Sequence, residues 1–314
     1  PGEVAVTDST TVNLDRLAAA AVAARPRRHA VAITRSEFPT DRYVIEGLAA
    51  EHDLTIRWID EDPVEGIGLA DVTPILDDDL ALLVLSHVNY RSAAIADVPA
   101  ITARAREAGA LVLWDLSHAA GSVPVELEAA GVDLAAGCTY KHLNGGPGAP
   151  GYLYVRRELQ PELRPPIQGW FAQTEQFEMG PRFRRRDGIA GWLTGTPGVL
   201  GLVAAEAGIA LTAEAGIPAI RAKGIALTEY VIELLDAWLA PRGCALGSPR
   251  DPARRGAHVA IRHPDARRLT AALIARGVIP DFREPDVVRV GCSPLSTTFG
   301  EVRRGLETLR SLLD

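Results

Sequence analysis

Along the first half of the chain, short apolar runs alternate with amphipathic stretches. Residues 4–7, 30–34, 54–59, 80–86, 110–114, 132–138 and 152–155 read as strands. Residues 10–24, 39–51 and 98–108 read as helices. Capping residues at 8–11 precede the first, Pro39 opens the second, and Asp97 caps the third. The run Leu-Ala-Leu-Leu-Val-Leu at 80–85 is apolar throughout, as in strands buried on both faces. Strands and helices alternating at this spacing predict an α/β fold, a mostly parallel sheet sandwiched by helices. Ligands of such sheets bind beyond the carboxyl ends of the strands.

From about residue 198 the pattern changes. An Ala/Leu-rich helical stretch runs to residue 213 and another from 218 to 239. A strand (256–262), a helix (265–275), a strand (287–291) and a helix (300–313) follow. This predicts a large domain over residues 1–210, then a long helix with a small α+β domain over 211–314. There are no internal repeats.

Composition narrows the function classes. The 314 residues carry 33 Lys+Arg against 40 Asp+Glu, a net charge of −7, and no basic stripe; a nucleic-acid partner is not expected. Three cysteines, Cys138, Cys244 and Cys292, form an odd set without CxxC spacing. That argues for a reducing, cytoplasmic setting, with neither a disulfide framework nor a metal site. The longest uncharged window, residues 188–205, holds Pro197 and five glycines and reads as a loop entering a helix, not a membrane span. The chain begins at Pro1 and passes straight into a strand, so no signal peptide is expected. Of the 33 basic residues only Lys141 and Lys223 are lysines.

Candidate chemistry sits where strands end. Asp8-Ser9-Thr10-Thr11, Ser86-His87-Val88-Asn89-Tyr90, Asp115-Leu116-Ser117-His118 and Thr139-Tyr140-Lys141-His142 each follow an apolar run, so they converge on one edge of the sheet. Lys141, between a buried strand and the turn Gly145-Gly146-Pro147-Gly148, is placed to form a Schiff base. Asp115 suits a buried cation such as a protonated pyridine nitrogen, unless it merely caps a helix. The helix start at Ser9, Thr10 and Thr11 suits a phosphate. Lysine, carboxylate and phosphate cradle together resemble a pyridoxal-phosphate site.

With Phe38-Pro39-Thr40-Asp41, Val88-Asn89-Tyr90-Arg91, Gly169-Trp170-Phe171, Gly195-Thr196-Pro197 and Arg289-Val290 added, the sequence resembles the kynureninase family, fold-type-I pyridoxal-phosphate enzymes. The resemblance runs from about Thr7 to the end. It implies that Lys141 is the Schiff-base lysine and Asp115 the partner of the ring nitrogen. Thr10 and Thr11 would hold the phosphate, with Ser86 and Tyr140 adding hydrogen bonds. Phe38 would lie against the ring, and Asp41 and His118 would complete the pocket. Trp170 and Thr196 would reach the site from the partner subunit of a homodimer, and Arg289 would clamp the carboxylate of a small amino-acid substrate. The implied activity is hydrolytic Cβ–Cγ cleavage of L-kynurenine or a ring-substituted relative to an anthranilate and L-alanine, with Tyr140 a candidate for proton transfer.

Blander roles remain for single residues: Phe38 and Trp170 as core aromatics, His118 as a core histidine, Thr196 as turn chemistry, Arg289 as the partner of Asp286 or Glu284. Two departures stand out. The family's further N-terminal segment has no counterpart in these residues, and Ser92-Ala93-Ala94 stands where the family commonly has a glycine, a difficulty if Ala93 needs a positive φ. The competing functions are a cysteine desulfurase or related lyase of the same fold and a non-catalytic pyridoxal-phosphate-binding module.

Overall fold

A computed structural model describes residues 2–314. The first part of the chain lays down β1 (Val4–Val6), α1 (Thr10–Ala23), β2 (Ala30–Thr34), α2 (Pro39–His52), β3 (Thr55–Ile59), the single-turn α3 (Leu69–Val72) and β4 (Leu80–Ser86). Then come α4 (Val98–Glu107), β5 (Leu111–Asp115), β6 (Leu134–Cys138) and β7 (Gly151–Val155). These strands form one seven-stranded sheet in the order β1-β7-β6-β5-β4-β2-β3. Strands β6, β5, β4, β2 and β3 pair parallel, while β7 runs antiparallel to both β1 and β6. Reversing one strand leaves β1 pointing the same way as β6. The starts of α1 and of the loops after β4, β5 and β6 therefore share one edge, the geometry expected from the strand-end clusters.

Every residue of β4, β5, β6 and β7 is buried, which accounts for their unbroken apolar runs. On one face, Leu14, Leu17 and Ala21 of α1 and Ile45 and Leu48 of α2 pack on Val31, Ile33, Leu82 and Leu113. On the other, Ile101 and Ala105 of α4 pack on Leu83, Val112 and Trp114, and the Trp114 indole donates to the Thr102 hydroxyl at 3.0 Å. A fully buried Arg16 ties the start of α1 down: it pairs with Asp8 at 2.8 Å and donates to the Trp192 carbonyl.

The remaining chain forms α5 (Val199–Ala215), α6 (Ile217–Leu234), β8 (Ala245–Leu246), β9 (His258–Arg262), α7 (Ala266–Ile274), β10 (Asp281–Arg283), β11 (Val287–Gly291) and α8 (Phe299–Leu313). Its strands make an antiparallel sheet, β10-β11-β9-β8, with its own core from Leu227 onward. The second long helix, expected as one piece over 218–239, instead passes into a π-helical turn at Leu235–Leu239. β8 and β10, two and three residues long, were not legible as apolar runs. Among the described residues no single helix is long and apolar enough to cross a membrane; α5 and the helix after it bend by 81° at Gly216.

The position flagged in sequence is a real constraint. Ala93 has φ +65° and is fully buried, held by Asn89 O accepting from its amide at 3.0 Å and by its own carbonyl accepting from Gly256 N at 2.8 Å. A left-handed L-residue costs about 1–2 kcal/mol, against about 0.8 kcal/mol for a buried methyl. Ala93→Gly should therefore leave stability within about 1 kcal/mol of wild type, whereas Ala93→Val adds a β-branch in the same backbone conformation and should lose at least about 2 kcal/mol. Paired urea melts check this; a Val variant as stable as wild type would mean that the turn tolerates branching.

Candidate active site

β4 and β5 end in register, with Ser86 opposite Asp115, and β6 runs alongside. Asp115 is enclosed, and its Oδ1 accepts from the Ser117 amide at 2.8 Å. A turn, not a helix, follows it, so the capping role is excluded. Asp41, in the first turn of α2, is also buried and faces Asp115. Burial pushes both carboxyls up; their mutual repulsion adds to this on Asp41, while the Ser117 hydrogen bonds and Lys141 restrain Asp115. Burial lifts Asp41 well above the usual carboxylate range, and its Oδ2 is buried without a hydrogen-bond partner.

Lys141 lies at the end of the next strand. Its Nζ is 3.1 Å from His118 Nε2 and 5.6 Å from the centre of the Phe38 ring. Phe38, at the N-terminus of α2, is fixed edge-on against Tyr90 at 5.3 Å. The His118 ring centre lies 6.0 Å from that of His142 and 5.5 Å from that of His258 on β9. Burial holds all three imidazoles neutral: His118 well below its usual value, with Lys141 and His258 adding to the effect; His142 at about 4; His258 well below, with Arg289 adding.

Lys141, His118, His142, His258, Asp281 and Arg289 line one cavity of about 500 Å³ between the large sheet's edge and the small sheet. A second cavity, of about 440 Å³, lies at the start of α1, where Asp8, Ser9, Tyr140, Thr194 and Thr196 meet. Burial and then Cys138 raise the Tyr140 phenol to about 12. Ser9 caps α1, accepting from Val12 N at 3.3 Å, and the Thr10 hydroxyl is buried without a partner, while Thr11 is exposed. Trp170 and Thr196 are both exposed, Trp170 packing only on Phe171 and Phe177 among aromatic neighbours.

These residues fit pyridoxal phosphate. Three carboxyls, Glu37, Asp41 and Asp115, are buried together with Lys141 facing only Asp41 and Asp115, an arrangement that suits a further cation such as a protonated pyridine. The unpartnered Thr10 hydroxyl and the open first-turn amides of α1 suit a phosphate. The backbone is pared down there too: a Cβ on Gly151 would come within 2.9 Å of Thr10 N.

Glu37 was missed in sequence because the polar residues after β2 were not among the strand-end clusters collected. Its Oε1 accepts from the Ser86 hydroxyl at 2.5 Å and from Phe38 N at 3.0 Å, and its Oε2 from Ser86 N at 2.9 Å. The Ser86 hydroxyl, expected to add a hydrogen bond to the cofactor, donates to Glu37 and keeps acceptor capacity toward a ligand. Arg289 pairs neither with Asp286, which takes Arg262, nor with Glu284, which takes Arg267, but with Asp281. The three cysteines are buried; burial raises their thiols, that of Cys292 to about 11, which is unsuited to a desulfurase nucleophile.

Burial, opposed by the Ser86 and Phe38 hydrogen bonds, raises Glu37 to about 7 from 4.5. Between those values the folded chain keeps a proton that the unfolded chain has released, so stability falls as pH rises through that window. Glu37→Gln should flatten part of this fall in cofactor-free protein. Melting temperatures of both forms from pH 4.5 to 8 check it; parallel curves would show that Glu37 does not titrate there.

A family model for the kynureninase C-terminal domain matches residues 220–309. The kynureninase of Pseudomonas fluorescens is 41% identical over 319 residues, covering 100% of this chain and 75% of that protein. That of Burkholderia pseudomallei (strain K96243) is 42% identical with the same coverage. Among solved structures, a cysteine desulfurase from Thermococcus onnurineus NA1 superposes with a TM-score of 0.87 at 20% identity, covering 99% of this chain and 79% of that one. A C-DES mutant with glycine covalently linked to its PLP cofactor gives 0.86 at 19%, covering 99% and 81%. At such identities the structural likeness speaks for the fold alone, that of fold-type-I enzymes. The sequence likeness, extending over the whole chain and through the Lys141 site, is decisive: the chain belongs to the kynureninase family.

Proposed function

We propose that this chain, with pyridoxal phosphate, hydrolyses L-kynurenine or a ring-substituted relative between Cβ and Cγ, releasing an anthranilate and L-alanine. The observation that carries this reading is the 41–42% identity to kynureninases over the whole chain. Cysteine desulfurases share the fold at 19–20% identity, but the thiols here are buried.

When bound, pyridoxal phosphate supplies an electron sink for charge developing beside the substrate nitrogen. Asp115, which accepts from the Ser117 amide and faces Lys141, would hold the ring nitrogen protonated. Phe38 would cover one ring face. Ser9, Thr10 and Thr11 would receive the phosphate at the dipole end of α1, with Tyr140 beside it. The Lys141 amine would be the base for the α-proton; the neutral imidazole of His118 accepts from it at 3.1 Å and so aims it. Arg289 would bind the α-carboxylate at the far wall of the cavity. The water needed for cleavage enters the same cavity, so its remaining polar lining sets where that water stands.

A homodimer with shared sites fits the exposed Trp170 and Thr196 and the exposed apolar Val199, Leu200 and Val203 of α5. Three free cysteines fit a cytoplasmic setting.

Purified protein should release fluorescent anthranilate from L-kynurenine. Borohydride reduction of the cofactor-loaded protein followed by peptide mapping should label Lys141, and Lys141→Ala should abolish turnover. Asp115→Asn should retain cofactor yet lose at least about a hundredfold in kcat, roughly 2.7 kcal/mol of barrier. Label on Lys223, or near-wild-type turnover in Asp115→Asn, would overturn the assignments.

Mixed Lys141→Ala and Trp170→Ala chains, each inactive alone, should regain one working site per heterodimer. Confirmed heterodimers without recovered activity would place Trp170 outside the partner's site.

A further inference from the structure

The guanidinium expected to receive substrate is already held on two sides. Arg289 Nε donates to Asp281 Oδ1 at 2.8 Å, its Nη2 donates to Asp281 Oδ2, and its Nη1 donates to the Tyr90 carbonyl at 2.5 Å. Asp281 stands on β10, directly opposite Arg289 on β11. Tyr90 belongs to the large domain's loop after β4, and its ring is the one set edge-on against Phe38. Arg289's side chain is 12% exposed, and it lines the cavity that contains Lys141.

A guanidinium has five N–H groups. Asp281 takes Nε–H and one hydrogen of Nη2; Tyr90 takes one hydrogen of Nη1. Two remain, one on each terminal nitrogen, and a carboxylate can take such a pair through two parallel hydrogen bonds. Asp281 is shared with Arg283, whose Nη2 donates to its Oδ2 at 3.1 Å, so one carboxylate also separates two like charges.

We propose that Asp281 is a positioning residue for substrate capture. With the Tyr90 carbonyl it locks the Arg289 guanidinium edge-on, so that its remaining N–H pair forms a preset site for the α-carboxylate of the amino-acid substrate. This rests on the reading of Arg289 as the carboxylate residue. The opposite role for Asp281, a stand-in that occupies the carboxylate's place until substrate displaces it, predicts the opposite sign for its removal. The lock also couples substrate capture to the ring-covering residue, because the strand bearing Arg289 is tied to the loop whose Tyr90 braces Phe38.

The test uses cofactor-loaded enzyme, L-kynurenine and its α-carboxamide, with Asp281→Asn, Asp281→Glu and Arg289→Ala. In Asp281→Asn the amide nitrogen cannot accept from the guanidinium, so one of the two bonds is lost and the fork is free to turn. KM for L-kynurenine should rise at least about tenfold with kcat within about threefold, the cofactor absorbance should not move, and competitive inhibition by the carboxamide should be unchanged. Asp281→Glu, which keeps the charge but shifts it by one methylene, should fall between, and it decides the matter if the Asn variant does not fold. An unchanged or lowered KM in the Asp281 variants, with Arg289→Ala raising it, would overturn the positioning role alone. An unchanged KM in Arg289→Ala would instead remove Arg289 from carboxylate binding. A wild-type enzyme that does not cleave L-kynurenine would refute the function itself.

Discussion

Burying carboxylates at the edge of a parallel sheet is the constraint from which the rest of this site follows. Asp115, Asp41 and Glu37 are all withdrawn from water within one neighbourhood, and Lys141 is the cation that faces Asp115 and Asp41. A folded chain tolerates such a cluster only by protonating some members and hydrogen-bonding the others. Here Glu37 accepts from Phe38 N and from the Ser86 amide and hydroxyl, Asp115 accepts from the Ser117 amide, and burial raises all three carboxyls, Asp41 well above its usual value. A strand end buried on both faces provides the rigid, dry mounting that makes this arrangement possible.

The second organising feature is that the cavity has two walls from different sheets. Lys141 and His118 come from the large sheet, Arg289 and His258 from the small one. The walls are tied together by Arg289 on the Tyr90 carbonyl, by Arg91 on the Glu284 carbonyl, and by Arg254 on Glu65. Arginine side chains thus join backbone bonds such as Gly256 N to the Ala93 carbonyl in tying the two parts of this lysine-poor chain together. Arg289 and Arg91 reach backbone carbonyls, while Arg254 donates to both the carboxylate and the carbonyl of Glu65. The neutral histidines between the walls add hydrogen-bonding capacity without adding charge beside Lys141.

Family kinship and local chemistry meet at the same residues, but they answer different questions. Kinship to kynureninases speaks for the reaction. The geometry says how this chain's residues divide the work, and it departs from simple expectation in two places: the Ser86 hydroxyl donates to Glu37, and Arg289 enters the cavity with Asp281 already bound to it.

The order of the large sheet's strands and main helices, and the gathering of the strand-end clusters with Asp115 and Lys141 at one sheet edge, were legible in the chain alone. Apolar runs such as 80–86 report burial directly, and residues following such runs must lie at strand ends. Ala93 stood out only through the family resemblance, since the family commonly has a glycine near it, and its φ is positive. Tertiary structure decided what depends on contacts between distant segments. Glu37 and Ser86 are 49 positions apart, and Arg289 and Tyr90 are 199 apart. Nothing in local pattern distinguishes Asp281 from Asp286 as Arg289's partner; the antiparallel register of a three-residue strand does. Periodicity encodes which face a residue takes, whereas the identity of its neighbour across a sheet or cleft exists only once the chain has closed on itself.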